Sequence, residues 1–356
     1  MLESPTRVVN QIAGPIGVRR EFWQQQFPIF VVLMLAGVAA SYLQHGLLPG
    51  GDSPFPLAGV RVPVWHVIWM GAWTGYTMAL VGEASGIFAL PYSMSILQFS
   101  NPHVTPTTQL LTVLNPLGAL LGFRSSGQWN IDFAKWVCIG GVAGGLTGPF
   151  LRLAVFAEPK PFQLLVGLML TLVGLHLLYD ALTRPAVHAP AESGGAGGRS
   201  RIETVTKSFR RTVISYEGGH WSLSNLALFL TGAGVGVIAS ALGVGGGFLL
   251  VPIFAAVFRL PMYVLVAATI PYVIVLSAVG LLTYTVLMPI FTSTTLEPEW
   301  AWGFFAAAGG TIGSWSAAKT QRWVPEHLLK FMLGGVTGVA GGLYVVNFFV
   351  PLPFRL

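Results

Sequence analysis

Apolar windows long enough to cross the roughly 30 Å hydrocarbon core of a bilayer recur along almost the whole of this chain. They fall near residues 27–48, 64–81, 86–99, 104–122, 133–151 and 162–182, and again near 223–241, 244–258, 262–289, 301–318 and 326–349. In lipid, every backbone N–H and C=O must find its partner inside the chain, so such windows become packed helices. Composition agrees: 9% of the 356 residues are charged, against about 25% in soluble domains. The expectation is an all-α polytopic membrane protein, with the lipid bilayer as its first partner.

The first window, 27–48, follows Arg7, Arg19 and Arg20. Val38-Ala39-Ala40 could pass for a signal-peptidase site, but the apolar run continues beyond it, which favours a retained helix. The chain therefore divides into a cytoplasmic N-terminal segment (1–26), an extra transmembrane helix (27–48), a first repeat (64–182), a cytoplasmic linker (183–222) and a second repeat (223–349). The linker opens on the flexible stretch "HAPAESGGAGGRS" and continues as the basic "RIETVTKSFRRTVISYEGGHW". There Ile202, Val205, Phe209 and Val213 recur at helical spacing, which suggests a helix on the membrane surface, with a small cytoplasmic subdomain as the equal alternative.

The two halves resemble each other. "GEASGIFALP" (82–91) aligns with "GVGGGFLLVP" (243–252), each ending in proline. Pro102 and Pro261 follow at similar spacing, "GGVAGG" (140–145) matches "GGTIGS" (309–314), and Pro161 matches Pro325. An internal duplication accounts for this, with five hydrophobic segments in each half.

Charge sidedness sets the topology. If 64–81 and 86–99 are two arms of a hairpin and the N-terminus is cytoplasmic, Lys/Arg at 7, 19, 20, 124, 135, 184, 199, 201, 207, 210, 211, 259, 319, 322 and 330 lie inside. Only 61, 152, 160 and 355 lie outside, a split of 15 against 4. Counting each pair as a single pass removes the bias. An odd number of segments per half then turns the halves upside-down relative to each other, a recurrent plan of secondary transporters.

The glycines within "ALGVGGGFLLVP" (241–252) raise the question of a phosphate-binding loop. No Gly-Lys-Ser/Thr ending follows and no acidic residue completes a dinucleotide fingerprint, so a nucleotide site is excluded. The remaining reading is a helix broken inside the membrane. Residues 244–258 would span about 22 Å as a helix, short of a full crossing, so either the turn sits at one interface or the hairpin dips partway and its tip lies within the membrane. Gly82, Ser85, Gly86, Gly243, Gly245, Gly246 and Gly247 would let a substrate approach the backbone. Pro252 frees the carbonyl of Phe248, and Pro91 frees that of Ile87, so both act as helix-break residues. Helices restarting there aim open N–H groups and a positive dipole end at one shared site, which suits a small anion. Close helix packing is the competing use of the glycines.

Glu83, beside the first break, is a candidate proton-coupling acid, since charge at such a place is costly, or else an acid at a wetted turn near the interface. A charged Glu83 close to the site would repel an anion, so protonation would accompany binding. Gln109, Thr112 and Asn115 share roughly one helix face, and Thr269 and Ser277 occupy the related region of the second half. These five could replace an oxyanion's hydration shell, or could hold the bundle together. His176 reads as a packing residue, with a proton relay as the lesser alternative. Arg152 and Lys160 read as a solvated helix end on the outer side, with drawing anions outward as the alternative, and Trp65, Trp69, Trp73 and Tyr76 as an aromatic belt and packing face.

"GVGGGFLLVP" followed by "LPMYVLVAATI", with a degenerate copy in the first half, resembles the sulfite exporter TauE/SafE family of membrane transporters over residues 64–349. The resemblance implies an exporter of sulfite, or of an organosulfonate such as sulfoacetate, in the cell inner membrane. Glu83, Ala84 and Ser85 stand where the family tends to be glycine-rich. The alternatives are a passive anion channel and a membrane-embedded enzyme or sulfur-relay component. The latter would need a reactive residue, and Cys138 is the only thiol. No cofactor, metal cluster or nucleic-acid partner is implied, and the sequence carries no signal of oligomeric state.

Overall fold

The computed structural model describes residue 20 and residues 22–81, 85–99, 101–123, 130–156, 158–183, 202–216, 218–260, 262–320 and 326–350. A π-helical turn, Phe22–Gln26, leads into α1 (Phe27–His45), so the first helix begins earlier than its apolar run. A short antiparallel hairpin, β1 (Ser53–Phe55) and β2 (Val60–Val62), precedes α2 (Val64–Val81). Next come α3 (Gly86–Pro91) with a π-helical turn at Tyr92–Ile96, α4 (Val104–Leu114), α5 (Pro116–Phe123), α6 (Ile131–Val155) and α7 (Pro159–Thr183). The second half holds α8 (Asn225–Leu242), α9 (Gly247–Ala256), α10 (Met262–Leu282) with a π-helical turn at Thr283–Leu287, α11 (Met288–Thr292), α12 (Trp300–Thr320) and α13 (Glu326–Phe349).

Six helical stretches among the described residues are long and apolar enough to cross a membrane: Phe22–His45, Ile131–Val155, Lys160–Thr183, Asn225–Leu242, Ala268–Thr292 and Phe331–Phe349. They present Leu35, Leu168, Leu172, Leu230, Ile290 and Val336 outward, side chains that lipid would cover. This is a multi-pass membrane protein. By contrast, α12 is buried along most of its length, packed against α1, α2, α4 and α5. A helix surrounded by protein can carry the Gly, Ser and Thr residues that lower the hydropathy of this one.

The packing is reciprocal between the halves. The first helix of the first half, α2, lies along α12, the fourth segment of the second half. Likewise α6, the fourth segment of the first half, lies along α8, the first helix of the second. The last helices, α7 and α13, pair with each other, and α4 crosses α10. Small residues permit these approaches. A Cβ on Gly71 or Gly75 would overlap the backbone of Ala306 or Gly310, and one on Gly140, Gly144 or Gly148 would overlap α8. Gly167 and Gly174 meet α13 in the same way.

The linker differs from the surface-helix expectation. Residues 203–224 form a three-stranded antiparallel sheet, β3 (Glu203–Lys207), β4 (Arg211–Tyr216) and β5 (Gly219–Ser224). Thr212, Ile214 and Tyr216 are buried at every second position, the period of a strand rather than of a helix. Gly218, at φ +78°, turns the chain between β4 and β5. Phe209, which the helical spacing placed on an apolar face, is exposed, with its ring edge-on to Trp136 at 5.4 Å between centroids. The sheet is held to the helices by Lys207 pairing with Asp132, and by Asn130 Nδ2 donating to Thr204 Oγ1 at 3.1 Å.

Candidate functional site

Two hairpins meet inside the bundle. In the first, α3 folds back along α2: Trp73 packs on Phe88 and Tyr92, and His66 Nε2 lies 2.8 Å from the Tyr92 hydroxyl. In the second, α8 ends at Gly243 and α9 restarts at Gly247. The return arm α9 has 10 residues, about 15 Å of helix and half of a bilayer's hydrocarbon core. The tips touch. A Cβ on Gly86 would fall 2.6 Å from the Cα of Val244 and 2.8 Å from its carbonyl oxygen.

The second tip has a conformation that glycine alone adopts readily. Gly243 and Gly245 take φ of +78° and +84°, and Gly246 takes +20°. Gly243 closes α8 by donating to Ala239 O and Ser240 O at 2.9 and 3.2 Å. Ahead of α9, the amides of Gly245, Gly246 and Phe248 have no acceptor among the described residues, while Leu249 and Leu250 already donate to Gly246 O. Open N–H groups therefore collect at the start of a helix whose dipole adds positive potential there.

Polar side chains surround this tip, and several lack partners. Ser85 is fully buried and its hydroxyl has no hydrogen-bond partner among the described residues. Its backbone carbonyl accepts from Phe88 and Ala89 at 3.2 and 3.0 Å, which starts α3 beside Val244. A Cβ on Gly243 would overlap the Thr105 carbonyl and lie 2.9 Å from Thr108 Oγ1, so the N-terminal half of α4 packs on the tip. Thr105 Oγ1 is buried and unpartnered as well. One turn further along α4, Gln109 Nε2 donates to the carbonyl and hydroxyl of Ser240, each at 3.0 Å, and leaves its Oε1 unmatched. Each buried polar group without a partner costs about 1–3 kcal/mol, so a cluster of them marks a place built for water or ligand.

The other sequence-derived candidates divide. Gly82 and Glu83 lie outside the described residues. Gly247 opens α9, and Pro252 lies within it. Pro91 stands where the α-helix gives way to a π-helical turn, the local answer to a missing N–H. Thr112 donates its hydroxyl to Thr108 O at 2.6 Å, so that proton serves its own helix. Asn115 sits at the break between α4 and α5, fully buried, its side-chain amide unpartnered against the backbone of Gly310. Ser277 is buried with an unpartnered hydroxyl, and Thr269 is buried in α10. Thus Ser85, Gly86, Gly243, Gly245, Gly246 and Gln109 gather at one place, whereas Asn115 forms a second polar point against α12.

Thr105 and Ser240 were not singled out from the sequence. The polar stripe Thr105, Thr108, Gln109 and Thr112 recurs at helical spacing and was there to find. Arg152 contradicts its expectation: it is 2% exposed rather than a solvated helix end. Also unanticipated is Glu299, which is fully buried at the start of α12. Its carboxylate lies 2.8 Å from His45 Nε2 and accepts from Leu57 N at 2.9 Å, tying α1 and the β-hairpin to α12.

The sequence profile of "Sulfite exporter TauE/SafE" matches residues 12–177 and 67–344. Two similar curated proteins, each named "Probable membrane transporter protein", come from Xylella fastidiosa strains Temecula1 and 9a5c. Each is 24% identical over 277 residues, covering 78% of this chain and 92% of the relative. No solved structure matches.

Proposed function

The chain belongs to the sulfite exporter TauE/SafE family, and from that premise we propose that it is an inner-membrane secondary carrier that exports a small sulfur oxyanion. Sulfite, or an organosulfonate such as sulfoacetate, fits the reading. The observation that carries it is the contact of Gly86 with Val244, which sets the open amides of Gly245, Gly246 and Phe248 near the unpartnered Ser85 and Thr105 hydroxyls. Backbone N–H groups and hydroxyls can replace an oxyanion's water shell without a fixed counter-charge. Binding then stays weak enough for release on the far side.

With a cytoplasmic N-terminus, the charge bias has the two hairpins entering from opposite faces. Rocking one inverted half against the other would expose their shared tip region to each side in turn. Reciprocal packing of α2 with α12 and of α6 with α8 supports that symmetry. Glu83 stands next to the first tip in sequence and serves as the coupling acid. Its proton neutralises the approach path when the anion binds, so affinity rises as pH falls.

Counterflow of labelled sulfite in proteoliposomes, at two pH values, tests this reading. A carrier gives saturable, trans-stimulated exchange, and Glu83→Gln makes it independent of pH. A sulfonate, which stays ionised across the range tested, separates titration of the protein from that of sulfite. Flux without trans-stimulation identifies a passive channel, and absence of exchange with every sulfur anion sinks the carrier reading. Full exchange in Cys138→Ser excludes a thiol relay.

A further inference from the structure

Arg152 is 2% exposed in a chain with few charges of any kind. Among the described residues its Nε and Nη1 atoms have no hydrogen-bond partner, and no carboxylate lies within ion-pair distance. A buried guanidinium without a counter-ion is strongly disfavoured, and more so at membrane depth. Its packing returns only part of that cost: the guanidinium carbon sits 3.7 Å from the centroid of the Phe162 ring. The remaining donors call for an anion that the described residues do not supply.

The surroundings point the same way. Arg152 comes from α6, Phe162 from α7, and the Tyr284 hydroxyl, within electrostatic reach, from the π-helical turn after α10. Single π-helical turns recur at functional sites because they re-aim side chains. The Tyr284 hydroxyl approaches the Ser240 carbonyl at 3.5 Å, and Ser240 also holds Gln109. A line of polar groups therefore leads from Arg152 to the hairpin tips. By the charge bias, Arg152 stands on the outer side.

We infer that Arg152, with Tyr284 beside it, is a second oxyanion-binding point on the outer side of the hairpin tips, taking the charged head group of a sulfite or sulfonate. The inference rests on the carrier reading above. A planar fork of open N–H groups matches two oxygens of such a group at once, which a lysine cannot do. An anion released from the backbone amides meets Arg152 before it reaches solvent.

The test combines the counterflow KM with the rise in Tm of the detergent-purified protein on adding sulfite or sulfoacetate. Wild type, Arg152→Gln, Arg152→Lys and Lys160→Gln are compared. Loss of charge-assisted hydrogen bonds predicts a KM raised about tenfold or more in Arg152→Gln, with the anion-dependent Tm rise lost. Arg152→Lys is expected to fall between, and the exposed Lys160→Gln to match wild type. Wild-type KM in Arg152→Gln overturns the inference while leaving the carrier intact. If Arg152→Gln does not fold, Arg152→Lys decides: an unchanged KM overturns the inference and a raised one supports it. A wild type that neither exchanges nor is stabilised by any sulfur anion contradicts the carrier reading, and this inference falls with it. A KM raised equally in Lys160→Gln reduces Arg152 to general attraction and overturns the site.

Discussion

The two helix breaks share a sequence pattern but use it differently. In "GVGGGFLLVP", three glycines take positive φ, so the chain reverses in a conformation that side chains resist. In "GEASGIFALP", the described part begins at Ser85, which is already helical at φ −57° and ψ −31°, and Gly86 is needed for contact with Val244. One glycine cluster is conformational and the other glycine is steric. An aligned motif therefore does not guarantee aligned physics, and substitutions in the two tips are expected to fail in different ways.

The largest effect is expected from Gly246→Leu. The new side chain meets the Tyr272 ring, whose Cε1 lies 2.5 Å from the ideal Cβ, in backbone already at φ +20°. We expect counterflow to be abolished while the protein still inserts and elutes as a single species, at a stability cost of about 2–4 kcal/mol. Full activity in this variant would remove the second tip from the site. Gly86→Ala probes the steric half of the comparison. One methyl against the Val244 backbone should lower exchange about tenfold and stability by about 1–3 kcal/mol. Unchanged exchange would mean that the tips separate in the working protein.

The smallest effect distinguishes two hydroxyls. Ser85→Ala removes a buried hydroxyl with no partner among the described residues, so Tm should hold or rise, while loss of one hydrogen bond to the anion raises KM about fivefold. Thr112→Val should leave KM unchanged, because that hydroxyl already donates to Thr108 O at 2.6 Å. KM values from counterflow check both. Equal shifts would show that the distinction between open and occupied hydroxyls carries no information about the substrate.

Much of the helical layout was legible because lipid imposes a simple rule: the apolar run must be about as long as the bilayer is thick. The expected windows at 223–241 and 301–318 agree with α8 and α12 to within a few residues. In the linker, Ile202, Val205, Phe209 and Val213 happen to fit a helical period, so the surface-helix expectation fails where the alternation of Thr212, Ile214 and Tyr216 makes strands. The hairpin at Ser53–Val62 was too short to register. At the site, the glycines stood out because glycine clusters are rare inside apolar runs. Glu299 with His45, and Arg152 with Phe162, depend on partners far away in the chain. Spacing along one helix says nothing of such pairs. The polar stripe from Thr105 to Thr112 needed only the helical period, and was under-read.

The central claim is that the two tips together hold the anion. Selenite is a close analogue of sulfite, and its selenium scatters anomalously, so a crystal structure of the protein grown with selenite locates the anion directly. The account predicts an anomalous peak within hydrogen-bonding distance of Ser85 Oγ and the amides of Gly245 and Gly246. Peaks confined to the exposed basic residues of the linker sheet, with none between the tips, would contradict it.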